Sequence, residues 1–77
     1  MQKIEYRVIR TARDGVDELD EQRRQQNLSQ MSISEIAEMP DTGQQYFRMY
    51  KSGDVKLSKF LRYLRAVGMT LVMMRKE

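Results

Sequence analysis

The segment that decides the fold runs from Met31 to Gly53 and reads MSISEIAEMPDTGQQYFRMYKSG. Its letters SISE, starting at Ser32, have the form of a capping box, which predicts a helix that begins at Ser32. Pro40 must end that helix, because a proline inside a helix removes a hydrogen bond and clashes with the preceding turn. A second helix is predicted from Gln44 to Lys51, with the glycine that closes the segment as its C-terminal cap.

The apolar residues of these two helices predict which of their faces are buried. In the first helix, Ile33, Ile36 and Ala37 fall on one face at helical spacing. In the second helix, Phe47 and Tyr50 are expected on the inner face. The outer face of the second helix then carries long polar or cationic side chains, which are Gln44, Gln45, Arg48 and Lys51.

Glutamine and arginine side chains on an exposed helix have the chemistry needed to contact base edges in DNA. A glutamine can form two hydrogen bonds with adenine, and an arginine can form two with guanine. The alternative is an ordinary helix surface, since charged residues mostly face water in any protein. The preceding capped helix and turn favour the DNA interpretation.

The letters MSISEIA from Met31 resemble the LSxxELA that opens helix two in the Cro/repressor-type (Xre) helix-turn-helix family. The segment LSKFLRYLRAVG from Leu57 is similar to a later helix of that family. From Leu57 to the end, the chain also resembles the DNA-binding antitoxins of toxin–antitoxin pairs. The resemblance covers about residues 16 to 74, and it implies a DNA-binding domain with its helix-turn-helix at residues 32–52.

The resemblance and the charge pattern together predict two sets of DNA contacts. The first set is predicted to read bases and consists of Thr42, Gln44, Gln45 and Arg48. Thr42, Gln44 and Gln45 stand where lambdoid phage repressors carry their base-reading residues. The other set contacts phosphates through helix N-termini and lysines. This second set is Ser32, Gly43, Lys51, Lys56 and Lys59.

The composition of the 77 residues excludes several classes of protein. There is no cysteine and no histidine, so the commonest metal ligands and the commonest general base are missing. We therefore expect no catalytic residues, no metal, no cofactor and no enzymatic activity. No apolar run is long enough to span a membrane, and no signal peptide is visible, which predicts a cytoplasmic protein that is nucleoid-associated when bound to DNA. The net charge of +3 is concentrated in the C-terminal half.

The segments outside the helix pair predict two strands and two further helices. Residues Gln2–Arg10 alternate between apolar and polar, which favours a strand, although a helix is the competing interpretation. A helix is predicted over Val16–Asn27 with Asp17 as its N-cap. Another is predicted to be capped by Ser58 and to end at Val67, before a strand over Met69–Arg75.

A two-stranded ribbon is only marginally stable by itself, so each predicted strand needs a partner. We expect the two strands to pair antiparallel and the ribbon to join its copy in a second subunit. The alternative is a strand that folds only onto its own helices. The residues predicted at the dimer interface are Met69, Leu71, Val72 and Met73.

Together these patterns predict a single mainly α domain (α+β) over residues 1–77, with about four helices between an N-terminal and a C-terminal strand. The expected function is sequence-specific binding of double-stranded DNA by a small transcriptional regulator, a repressor that acts as a homodimer on a palindromic operator. One alternative is a DNA-binding antitoxin with a toxin as its partner. Another is a protein-interaction module that has lost DNA binding.

Overall fold

The computed structural model describes residues 5–39 and 43–75, and it is mainly helical. Its four helices are α1 (Ala12–Gln25), α2 (Gln30–Ile36), α3 (Gln44–Ser52) and α4 (Leu57–Ala66). The prediction of a mainly α chain with about four helices is therefore confirmed. Pro40, which is predicted to end the first helix of the pair, lies outside the described residues.

The predicted C-terminal strand is wrong, and residues 5–10 of the predicted N-terminal strand contain no strand either. The remaining residues of that N-terminal strand lie outside the described part of the chain. Residues 5–10 and 69–75, here called the terminal segments, are irregular and almost entirely exposed. An alternating sequence forms a strand only when a neighbouring strand accepts its backbone hydrogen bonds, and within one described chain none does.

Helix α1 begins at Ala12, four residues before the predicted start. Thr11 is its N-cap, since its hydroxyl accepts a hydrogen bond from the Asp14 backbone N–H at 3.1 Å. Gly15 lies inside the helix. A Cβ at Gly15 would lie 3.1 Å from Cζ of Phe60, so the glycine allows α1 and α4 to pack closely.

Helix α2 begins at Gln30, two residues before the predicted start, because Ser29 and not Ser32 is its N-cap. The Ser29 hydroxyl accepts a hydrogen bond from the Ser32 backbone N–H at 3.0 Å. Ile33 is fully buried as expected, whereas Ile36 is 54% exposed. The predicted apolar face of this helix is therefore only partly correct.

Helix α3 has almost the predicted bounds, and its predicted C-terminal cap is confirmed. Gly53, the cap residue, has φ +71° and donates its N–H to the Met49 carbonyl at 2.8 Å. The predicted inner face is wrong, however, because Phe47 and Tyr50 are 48% and 38% exposed. Tyr46 and Met49 are buried instead, so the helix is rotated by about one residue relative to the prediction.

Helix α4 begins at Leu57, and Lys56 occupies the N-cap position without a side-chain capping bond, so the predicted cap at Ser58 is wrong. The buried residues of α4 are Phe60, Tyr63 and Leu64, whereas Leu61 is 40% exposed. The core lies between the four helices and consists of Val16, Leu19, Ile33, Ala37, Met39, Tyr46, Met49, Phe60, Tyr63, Leu64 and Val67. None of the helices in the described residues has the length and hydropathy needed to cross a bilayer.

Candidate nucleic-acid interface

A buried polar cluster connects α1 to the N-terminal half of α3. The Tyr46 hydroxyl donates a hydrogen bond to Oδ1 of Asp20 at 2.7 Å, and Nε of Arg23 donates to the same oxygen at 2.9 Å. The Arg23 guanidinium also lies 5.6 Å from the centre of the Tyr46 ring. Asp20 is only 3% exposed. This cluster fixes the rotation of α3, because only one residue of that helix can face the carboxylate.

The protonation states of this cluster suit its structural role. Burial by itself would raise the pKa of Asp20, but the hydrogen bonds from Arg23 and Tyr46 outweigh burial and lower it. Burial, together with the hydrogen bond to Asp20, raises the pKa of the Tyr46 hydroxyl well above its ordinary value. At neutral pH the carboxylate is therefore charged and the phenol is protonated, which is the combination that the hydrogen bond requires.

A second contact holds the C-terminal end of α3. Nη1 of Arg13 donates a hydrogen bond to the Tyr50 carbonyl at 2.8 Å, and the guanidinium lies 5.5 Å from the centre of the Tyr50 ring. Gly53 lies directly beside this arginine, since a Cβ at Gly53 would be 2.8 Å from Cδ of Arg13. Helix α1 therefore contacts α3 near both of its ends, and this makes α3 a firmly positioned element.

Helix α4 supports α3 from another side. The rings of Tyr46 and Tyr63 pack edge to face, with centroids 5.3 Å apart and an interplanar angle of 84°. Aromatic pairs of this geometry are favourable beyond the area that they bury. Tyr46 thus contacts both α1 and α4, and it is the central side chain that orients α3.

With Tyr46 and Met49 turned inward, α3 presents a polar and cationic surface outward. Gln44, Arg48 and Lys51 are exposed, and Gln45 is half-buried. Gln44, Arg48 and Lys51 are therefore on the outer face as predicted, whereas Gln45 lies at the edge of that face. We call the exposed surface of α3, from Gln44 to Lys51, the outer face.

A groove of about 420 Å³ runs along one edge of the outer face, between α3 and the start of α4. Three cationic residues line it, together with the side of Gln45. These cations are Arg48, Lys56 and Lys59. Asp54 also lines the groove and reduces its positive charge. The fold thus brings together residues that were predicted separately as base-reading and phosphate-contacting, and a DNA strand is a suitable occupant for such a groove.

The remaining predicted site residues do not line this groove or lie outside the described residues. Gly43 is buried, and a Cβ there would lie 3.2 Å from the backbone of Gln30, so it does not join the exposed phosphate candidates. Ser32 uses its N–H in the cap of α2. Thr42 lies outside the described residues. Of the residues predicted at the dimer interface, Met69 packs against the core of its own chain. Leu71, Val72 and Met73 are exposed.

Sequence reasoning missed the residues that position α3. The one local signal for Asp20 is Arg23 three residues later, which gives the spacing of a helical ion pair. Tyr46 and Met49 also carried a signal, since they are three residues apart and apolar. Phe47 and Tyr50 have the same spacing, so the sequence offered two rotations of α3 and no local feature to choose between them.

Comparisons with protein family models, with curated proteins and with solved structures find no match to this chain. The resemblance to the Xre family therefore stays a prediction. The described residues contain no group of three or more acidic, histidine or cysteine side chains arranged to hold a metal ion. The geometry of α3, the groove and the terminal segments is therefore what bears on function.

Proposed function

We propose that the protein binds double-stranded DNA in a sequence-specific way as a small transcriptional regulator, and that α3 enters the major groove. One observation carries the proposal: α3 is fixed from behind by α1 and α4, while its outer face presents Gln44, Arg48 and Lys51 beside a cationic groove. An α-helix fits the major groove of B-DNA, and rigid presentation keeps side chains in register with base edges.

The proposed roles follow from side-chain chemistry and position. Gln44 and Arg48 are exposed on the outer face and read bases, with Gln45 contributing from its edge. Lys56 and Lys59 line the adjacent groove and contact phosphates. Base contacts confer sequence preference, whereas phosphate contacts set the register and the dependence on salt.

A homodimer on a palindromic operator is the proposed assembly, and repression by blocking a promoter is the proposed mechanism. The terminal segments support a protein contact, because Leu71, Val72 and Met73 are 39%, 62% and 99% exposed and Val8 is 79% exposed. Ile9 and Leu71 line one shared groove, so the two segments meet on one side of the molecule. A symmetric dimer would read two half-sites about 34–36 Å apart.

An antitoxin is the second candidate function. The same exposed apolar C-terminal segment that favours a homodimer also suits a toxin surface, and an antitoxin would still use α3 on DNA.

Selection of bound sites from a random pool of duplex DNA, followed by gel shifts at two salt concentrations, tests the proposal. We expect one enriched sequence. Gln44→Ala should weaken discrimination at one base pair by about 1–3 kcal/mol. Lys59→Ala should instead weaken binding to all sequences alike and reduce the salt dependence.

Arg65→Ala is the matched control for loss of a cation, since Arg65 is exposed on α4 and lines a different groove. It should leave the enriched sequence unchanged and affect binding less than Lys59→Ala does. No enrichment of any sequence would overturn the proposal. Equal effects of Lys59→Ala and Arg65→Ala on DNA binding would contradict the proposed role of the groove.

Sedimentation at micromolar concentration tests the assembly. We expect a dimer that Val72→Asp and Met73→Asp together dissociate, because a charge in an apolar interface must be desolvated. A monomer at all concentrations would exclude the homodimer. A monomer that becomes a stable complex with the product of a neighbouring gene would instead favour the antitoxin.

A further inference from the structure

Phe47 occupies the outer face of α3, where the sequence alone placed it in the core. Its side chain is 48% exposed. It follows Gln44 by three residues and precedes Lys51 by four, so the three side chains lie along one side of the helix. A single exposed apolar residue is common on any protein surface and needs no explanation by itself. The position of this ring among the proposed DNA-contacting side chains is what gives it meaning.

The neighbours of Phe47 constrain what can cover its ring. Nζ of Lys51 lies 5.3 Å from the ring centre, and Arg48 is the next residue on the helix. An occupant that carries negative charge close to an apolar group would therefore suit this site. A DNA duplex does so in its major groove, where thymine presents a C5-methyl group between two phosphate backbones.

We propose that Phe47 is a specificity residue that contacts the C5-methyl group of a thymine in the bound site. This inference rests on the proposed function, and it names one kind of base that the outer face selects. The ring contacts the methyl group by apolar packing, while Gln44 and Lys51 on either side hydrogen-bond to base edges or to the backbone. The contact selects thymine over cytosine and over uracil, because neither of those bases carries the methyl group.

Replacing each thymine of the enriched site by deoxyuridine, one at a time, tests the inference. This change removes one methyl group and leaves every hydrogen-bonding group of the base pair in place. At one position of each half-site we expect binding to weaken by about fourfold, the effect of one buried methyl-sized group. The remaining positions should show no change.

The variant Phe47→Ala should weaken binding to the thymine site and make binding insensitive to deoxyuridine at the same position. Phe47→Leu keeps an apolar contact and should retain part of that sensitivity. Leu61→Ala is the matched control, because Leu61 has a similar exposure of 40% but lies on α4, away from the outer face. This control should bind thymine and deoxyuridine sites as the unchanged protein does.

The outcomes separate this inference from the function on which it rests. Sequence-specific binding without any effect of deoxyuridine, or an effect that persists in Phe47→Ala, overturns the role of Phe47 and leaves the proposed function intact. Absence of any DNA binding overturns both. If Phe47→Ala leaves DNA binding unchanged but prevents association with a protein partner, the ring belongs to a protein interface and the inference is wrong.

Discussion

Two tyrosines show how differently the core and the terminal segments use the same kind of residue. Tyr46 in α3 is fully buried and contacts Asp20, Arg23 and Tyr63, whereas Tyr6 in the N-terminal segment is 69% exposed. Both have polar or charged residues next to them in the sequence, since Tyr6 lies between Glu5 and Arg7 and Tyr46 follows Gln45. Apolar content alone therefore does not bury a side chain. A tyrosine is buried when other elements provide contacts for its ring and a hydrogen-bond partner for its hydroxyl.

The terminal segments lack those partners within one described chain. Val8, Val72 and Met73 are exposed, although residues 2–10 alternate as a strand does and residues 71–74 form a continuous apolar run. A core helix satisfies its backbone internally and needs only side-chain contacts, while a strand also needs a second backbone. The same physical chemistry therefore produces ordered helices in the middle of the chain and exposed apolar segments at its described ends.

The largest effect should come from truncating the buried tyrosine. Tyr46→Ala is expected to lower the free energy of unfolding by about 3–5 kcal/mol, because it leaves a cavity and removes a hydrogen bond from a buried carboxylate. Urea unfolding followed by circular dichroism measures this. Tyr6→Ala is the matched control and should change stability by less than about 0.5 kcal/mol. Similar losses of stability for both variants would contradict the conclusion that the core stabilises the fold and the N-terminal segment does not.

A smaller effect is expected from the carboxylate that holds Tyr46. Asp20→Asn should lower stability by about 3 kcal/mol, since it leaves the largely buried guanidinium of Arg23 without its counter-charge. Asp17→Asn removes an exposed i,i+4 ion pair with Arg13 and should have an effect of less than about 1 kcal/mol. Comparable losses from the two substitutions would show that the buried cluster does not anchor α3.

The stabilising effect of Asp20 should also depend on pH. The pKa of Asp20 is lower in the folded chain than in the unfolded chain, so its contribution is present above about pH 4 and is lost as the pH falls through the folded value. The gap in stability between the unchanged protein and Asp20→Asn should therefore narrow between pH 6 and pH 3. A gap that stays constant over this range would contradict the ion-pair explanation.

Two glycines with the same backbone conformation isolate the contact at the end of α3. Gly53 and Gly68 have φ of +71° and +77°, so alanine is strained at both. At Gly53 the new Cβ would also displace Arg13, while nothing lies within 4 Å at Gly68. We expect losses of about 2 kcal/mol for Gly53→Ala and about 1 kcal/mol for Gly68→Ala, measured by urea unfolding. Equal losses would show that the contact between Arg13 and Tyr50 adds no stability.

The smallest effect should come from the C-terminal segment. Met73→Ala removes a side chain that is 99% exposed and should change the stability of the monomer by less than about 0.5 kcal/mol. Thermal unfolding at low protein concentration measures this effect without contribution from association. A clear loss of stability under these conditions would mean that the segment packs on its own chain and contributes to its core.

Much of the candidate site was visible in the sequence. The bounds of α3 and the left-handed Gly53 follow from local preferences, because a polar helix end and a glycine cap act within a few residues. Capping was predicted less well: Ser29 and Thr11 cap their helices where Ser32 and Asp17 were expected. Several serine, threonine and aspartate residues stood near each helix start, and side-chain identity alone does not select one of them.

The four helices of the described residues, and the glutamines and cations on the third, could be predicted from local signals, since helical periodicity and helix-end residues act over short distances. Which side of that helix faces outward depends on contacts with other helices. The pairs Tyr46 with Met49 and Phe47 with Tyr50 have identical spacing, and the buried carboxylate of Asp20, 26 residues before Tyr46, accepts a hydrogen bond from Tyr46. A rotation about a helix axis is set by such distant contacts, and it turned Phe47 from a core residue into part of the outer face.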